Sequence, residues 1–232
     1  MLPVFIIWLV RCYTQNHKKN KNIAASFKKI KGLSGPVASA LLFSPLLFIA
    51  LKSYPQNKVL TYQILRNGNK VGTLQFSETI LAGMDYLKME SDVKTRFIFT
   101  FTAHANEEAV YYNGVLLRSS IYRQLNGNEK ANKQHQADNR QYIIHKGNTS
   151  EITKNFPITY NMLSLYSKEP EHIDAVYSDN FETFIAIQKT EPHKYRITLP
   201  DGNYNYYHSK GGVLNEIEVH HSLYSANIVL TN

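Results

Sequence analysis

Beyond residue 55 the chain alternates apolar and polar residues with a period of two, the pattern of strands with one buried face. From Tyr86 to Ala105, Leu87, Met89, Ser91, Val93, Thr95, Phe97, Phe99, Phe101, Ala103 and Ala105 share one face, while Lys88, Glu90, Asp92, Lys94 and Arg96 line the other. This run is too long for one ordinary strand, so it is either a bent strand or two strands meeting near Arg96.

Leu60, Tyr62 and Ile64 alternate before Asn67-Gly68, and Leu74, Phe76 and Ile80 alternate after it. Asn-Gly accepts positive φ at both central positions of a tight turn, which makes it a strong hairpin signal. Asn113-Gly114 repeats the signal between 110–112 and 115–122, and further Gly-containing turns separate 142–145, 183–189, 194–199, 204–208, 213–221 and 223–230. The pattern predicts about ten strands.

Two stretches break the rhythm. Asn126 to Arg140 is almost wholly polar and reads as a mobile hairpin tip or loop. Pro157 to Pro170 places Ile158, Met162, Leu165 and Tyr166 near helical spacing, which predicts one short helix or turn ended by Pro170. Without long crossovers the strands must pair largely antiparallel. The expected fold is all-β: a strongly curved antiparallel meander or barrel-like sheet, preceded by an apolar targeting segment.

Charge divides the chain into two parts. Eight of its 26 Lys and Arg residues precede Tyr54, in a stretch without Asp or Glu; the remaining 18 face all 18 acidic residues, so the body carries no formal net charge. Ahead of the charge-free run Gly32–Leu51 stand Lys28, Lys29 and Lys31, and Lys52 follows it, which is the text of a membrane-targeting segment. The apolar core from Val37 to Leu51, interrupted by Ser39, Ser44 and Pro45, suits a signal sequence better than a full span of roughly 20 residues. No A-x-A cleavage box follows, so an uncleaved anchor is the alternative. The apolar opening MLPVFIIWLV suggests that translation begins downstream.

We therefore divide the chain into residues 1–55, a targeting segment, and 56–232, a single β-rich domain large enough for its own core. The expected location is the periplasm or cell envelope, with residues 32–51 tethering the protein to the inner membrane if they are retained. No oligomeric state follows.

Cys12 is the single cysteine, so the body has neither a disulfide nor a thiolate metal site. His220 and His221 are adjacent on a strand and point to opposite faces; His104, His135, His145, His172, His193 and His208 fall into no ligand spacing. No metal or cofactor is expected. There is no G-x-S-x-G elbow and no Gly-rich phosphate loop, and no carboxylate pair stands out, so no catalytic residue is nominated. A body without net charge lacks the cationic face that nucleic acid requires.

The density of Tyr and Phe is the remaining lead. These residues build a β core, and they can also line a concave face for a lipid-like chain or stack on sugar rings. Phe97, Phe99, Phe101, Ile217 and Val219 are the candidate concave residues, with Tyr204 and Tyr206 beside them and His221 as a candidate ligand or acid–base group.

The order of Tyr62-Gln63-Ile64, Asn67-Gly68-Asn69-Lys70-Val71-Gly72, Tyr111-Tyr112-Asn113-Gly114-Val115-Leu116, Leu165-Tyr166 before Glu169-Pro170, Leu199-Pro200-Asp201-Gly202 and Gly211-Gly212-Val213-Leu214 resembles the bacterial family called domain of unknown function 6134. The resemblance covers about residues 60–230. It implies an exported, β-rich envelope protein of single-domain size, and it transfers no site residue. The reading that follows is a non-enzymatic envelope protein whose concave sheet face binds a lipid-like, amphipathic or carbohydrate ligand or an envelope partner. The alternatives are a hydrolase or sugar-acting enzyme using a His/carboxylate pair, and a purely structural envelope protein.

Overall fold

The computed structural model describes residues 56–96, 100–222 and 224–231, so the targeting segment lies outside the described residues. Fourteen strands form one antiparallel sheet built from two meanders. The first is β1 (Gln56–Arg66), β2 (Asn69–Leu81), β3 (Met84–Arg96), β4 (Thr100–Tyr112), β5 (Val115–Leu125), β6 (Asn128–Asp138), β7 (Gln141–Lys146) and β8 (Thr149–Thr153). The second is β9 (Ala175–Ser178), β10 (Thr183–Glu191), β11 (Lys194–Thr198), β12 (Tyr204–Lys210), β13 (Val213–His221) and β14 (Tyr224–Leu230). They join through β1 and β14, with Tyr62 opposite Leu230 and Ile64 opposite Ile228.

The all-β expectation holds, with two corrections. Among the described residues the strands number fourteen rather than about ten, and the polar stretch 126–140 is no loop: it forms the Asn126-Gly127 turn, the eleven residues of β6 and the turn into β7. Its polar inner face hides the alternation, because Lys133 and His135 stand where apolar residues would mark a strand. The long run 86–105 is two strands, β3 and β4. Asn67-Gly68, Asn113-Gly114 and Asn126-Gly127 all take positive φ at both residues, as the hairpin signal requires. Gly72 serves another purpose: a Cβ there would run into the carbonyl oxygen of Asp92, so only glycine lets β2 and β3 approach this closely.

Between β8 and β9 the chain leaves the sheet and fills its concave side. Ile158, Tyr160, Met162, Leu163, Leu165 and Tyr166 are all buried, and Met162–Tyr166 forms the expected short turn, a 3₁₀ helix. Asn161 caps it, its side chain accepting from the Ser164 amide at 3.3 Å. Tyr166 stacks on Phe76 at 5.3 Å between centroids and meets Tyr62 edge-on at 5.5 Å, so the inserted segment is the centre of the core.

This insertion also bridges the two ends of the sheet. The Leu116 amide of β5 donates to the Ile158 carbonyl at 2.8 Å, and the Tyr177 amide of β9 donates to the Tyr160 carbonyl at 3.0 Å. No ladder joins β8 to β9, and the curled, barrel-like sheet has a seam there that is bridged by residues 158–161 and by side chains. Among the described residues no helix is long and apolar enough to cross a membrane.

Candidate functional site

The seam gathers the most unusual chemistry of the molecule. Glu107 on β4 and Arg123 on β5 are each 1% exposed, and the Arg123 Nη2 and Nε donate to Glu107 Oε1 at 2.5 and 3.1 Å. A buried ion pair of this kind survives only when its geometry offsets the loss of water around both charges. The third guanidinium nitrogen, Nη1, reaches Asn180 Oδ1 at 3.3 Å and thereby holds the turn between β9 and β10.

Asp179 in that turn is 1% exposed and accepts a very short hydrogen bond from the Ser119 hydroxyl, together with one from Asn161 Nδ2 at 2.9 Å. Ser119 and His135 are register partners on β5 and β6, so both face inward. The network continues through Asn161 to Ser164, and from Ser164 Oγ to the Tyr111 hydroxyl at 3.1 Å.

Glu182 completes the seam. Its carboxylate meets Lys133 Nζ at 2.6 Å and Lys146 Nζ at 2.7 Å, while Lys133 also donates to the Asn180 carbonyl at 2.8 Å. Burial raises the Glu182 carboxyl pKa, but the two lysines outweigh it and hold the group below its ordinary value.

Ser119, His135 and Asp179 are the residue types of a hydrolytic triad, but their arrangement differs. Ser119 donates directly to the carboxylate, whereas His135 Nδ1 stands 3.7 Å from Asp179 Oδ1, beyond hydrogen-bond reach, and neither ring nitrogen has a hydrogen-bond partner. A triad requires the imidazole between hydroxyl and carboxylate, so that it can take the proton. Burial pushes the His135 pKa down, against the pull of Asp179 and Glu182, which keeps the ring neutral. The cluster locks the seam and leaves the serine without a base, and a surface depression of about 280 Å³ has Ser119 and His135 in its lining.

Sequence reasoning passed over this cluster, although a signal existed. Glu107 falls in phase with Ala103, Ala105 and Ala109, and Arg123 in phase with Ser119 and Ile121. Opposite charges on the apolar phase of two strands joined by one Asn-Gly turn predict a buried pair.

The residues nominated from sequence do not converge. Phe97 and Phe99 lie outside the described residues, and Phe101 is half-buried on the inner phase of β4. Ile217 and Val219 are buried in the core, where Ile217 opposes Tyr207 and Ile228. Tyr204 and Tyr206 occupy the outer face of β12, since Asn205 and Tyr207 point inward. Tyr204 has Arg196 at 4.2 Å from its ring centre and His220 stacked at 4.8 Å, so its ring is engaged by neighbours on β11 and β13. His221 points away from His220, as adjacent strand residues must, and stacks on Tyr224 at 4.7 Å; burial lowers its pKa, opposed by Asp201.

Glu169, Glu171 and His193 bring one ligand atom each within 4.8 Å of one another. Glu169 is already engaged, by His193 Nδ1 at 2.9 Å and by the Tyr195 hydroxyl at 2.7 Å. A surface depression of about 450 Å³ lies at the β3–β4 turn end, lined by Val71, Gly72, Asp92, Val93, Ala103 and His104 among others.

A family model described as Domain of unknown function (DUF6134) matches residues 62–231. The chain belongs to this family. A crystal structure of a β-barrel-like protein of domain of unknown function DUF1849 from Brucella abortus is similar in fold, with a TM-score of 0.50 and 8% identity, covering 76% of this chain and 95% of that one. At that identity the likeness concerns the fold alone, and it agrees with the curled sheet of this DUF6134 member. No curated protein matches the chain.

Proposed function

We propose that this protein is a non-enzymatic domain of the cell envelope, exported by its N-terminal segment and acting through its outer surface on an envelope partner. The observation that carries this reading is how the interior is used. The concave face is occupied by the chain's own segment 158–166, and the buried Ser119, His135 and Asp179 are committed to the seam. The outer face, by contrast, presents Lys194, Tyr206, His208 and Glu218 in one contiguous strip.

Cell fractionation combined with the mass of the mature chain tests it. Recovery in the envelope, with a mass near residues 54–232 or near full length, supports the reading and separates a released domain from a tethered one. Recovery in the cytosol with residues 1–55 intact would overturn it.

A second reading, a lipid-like ligand, draws support from the depression between the ends of β2, β3 and β4, whose lining includes Val71, Val93 and Ala103. Native mass spectrometry of protein purified from membranes should then show a co-purifying mass that Ala103→Trp removes. A single bare mass would exclude this reading.

A further inference from the structure

The end of the sheet from which the N-terminal segment departs carries an exposed apolar rim. Leu81 on β2 opposes Met84 on β3, which opposes Tyr112 on β4, so these three form one row on one face. Tyr86 lies two residues beyond Met84 on that face. Val59 reaches the same face through its partner Ser77, which lies four residues before Leu81 on β2. Val59, Leu81, Tyr86 and Tyr112 are between 39% and 49% exposed, although strand alternation elsewhere on this face places charge, as at Lys88 and Glu90. Beside the row stand two exposed cations, Arg118 opposite Val110 and Arg140 in the β6–β7 turn.

The chain itself says what meets this rim. β1 begins at Gln56, whose partner is Ile80, the neighbour of Leu81. The apolar run 32–51 ends only five residues earlier, a reach of at most roughly 18 Å. A membrane holding that run therefore faces the rim at close range. Tyrosines with apolar bodies and polar tips, next to aliphatic side chains and arginines, suit the boundary between lipid headgroups and acyl chains.

We propose that the rim formed by Val59, Leu81, Met84, Tyr86 and Tyr112 docks on the lipid surface, so that the domain stands on the membrane with its β5–β6 and β9–β10 turns directed away. This rests on the tethered form of the targeting reading, in which residues 32–51 are retained as an anchor, and adds an orientation to it.

The test uses the full chain with Cys12→Ser, carrying single cysteines at Leu81, Tyr112 or, as the control at the far end, Glu129, each labelled with an environment-sensitive fluorophore. The protein is reconstituted with vesicles of phosphatidylcholine and phosphatidylglycerol and recovered by flotation. Labels at Leu81 and Tyr112 should shift to the blue and be quenched by iodide at least about two-fold less than the label at Glu129. If the protein floats while all three labels are quenched equally, the rim proposal is overturned and the targeting reading stands. If the protein does not float, the anchor reading of residues 32–51 fails and takes the proposal with it. Shielding of the rim labels without vesicles, with a doubled mass, would assign the rim to a second copy and overturn lipid docking. Using two rim positions guards against one variant failing to fold.

Discussion

The curled sheet is closed at two places by two different kinds of bond. At the β1–β14 junction, strands from opposite ends of the chain pair by backbone ladder over Tyr62 to Leu65, above an aromatic packing of Tyr62, Phe76 and Tyr166 that holds no charge and in which the Tyr62 hydroxyl donates to the Leu214 carbonyl at 2.9 Å. At the seam, the β9–β10 turn is held to β5, β6 and β7 by Arg123, Ser119, Lys133 and Lys146. The first closure depends on burial of uncharged side chains, so protonation between neutral and mildly acidic pH should leave it nearly unchanged. The second is built from charges, so its strength depends on their ionisation.

The largest expected effect tests the apolar side. Tyr166→Ala empties the centre of the core and should cost about 3–5 kcal/mol in urea unfolding, equally at neutral and mildly acidic pH. Tyr166→Phe should be neutral or slightly stabilising, because the hydroxyl has no hydrogen-bond partner and burial raises its pKa far above the ordinary value. A large loss in the Phe variant would mean that this packing is not apolar in character.

On the seam, Arg123→Met leaves the Glu107 carboxylate buried and unpaired, at a cost of about 3–5 kcal/mol. Adding Glu107→Leu should restore most of that stability in the same urea experiment. If the double variant is as weak as the single one, Arg123 acts mainly through Asn180 rather than through the ion pair.

Asp179→Asn should cost about 1–3 kcal/mol, since it weakens the bonds from Ser119 and Asn161, and the loss should appear as faster hydrogen exchange around the β9–β10 turn. Exchange that changes equally at the β1–β14 junction would show that the two closures open together.

The smallest effects concern pH. Burial holds the His135 pKa below its ordinary value of 6.5, so the unfolded chain takes up the proton first and stability should fall as pH drops below 6.5. His135→Phe should remove this slope. The Glu182 pKa is also depressed, so its contribution is complete above 4.5 and is lost as pH falls through the lower folded value. Glu182→Gln should cost about 1 kcal/mol at neutral pH and flatten the acid limb, as read from urea midpoints across the pH range. Tyr166→Ala should leave both slopes unchanged.

The same division explains what could be read in the sequence. On the apolar side the alternation of Leu60, Tyr62 and Ile64 against Leu74 and Phe76 announces paired strands, and Asn67-Gly68 supplies the turn. On the seam side the inner positions of β6 are Ala131, Lys133, His135 and Ala137, so the strand looks like a solvated loop until its partners are known. Ala82-Gly83 forms a turn with the same positive-φ pair as the Asn-Gly turns but without asparagine to signal it. The tyrosines of β12 show a third difficulty. Tyr204, Tyr206 and Tyr207 form one cluster in sequence, but the sheet sends Tyr207 inward and the other two outward, and only the register reveals which. The lock escaped notice because Asp179 acts on residues about 44 and 60 positions away, at His135 and Ser119.

The join between the first strand and the last has a kinetic consequence. A chain emerging from its N-terminus builds β1 early, yet β1 gains its second neighbour only when residues 224–230 are available. Until then a long row of backbone donors and acceptors stands open in what will be the middle of the sheet, an invitation to pair with another chain. Assembly must therefore be slow relative to local hairpin formation, and removal of the last seven-residue strand would leave two adjacent edges unsatisfied instead of trimming one.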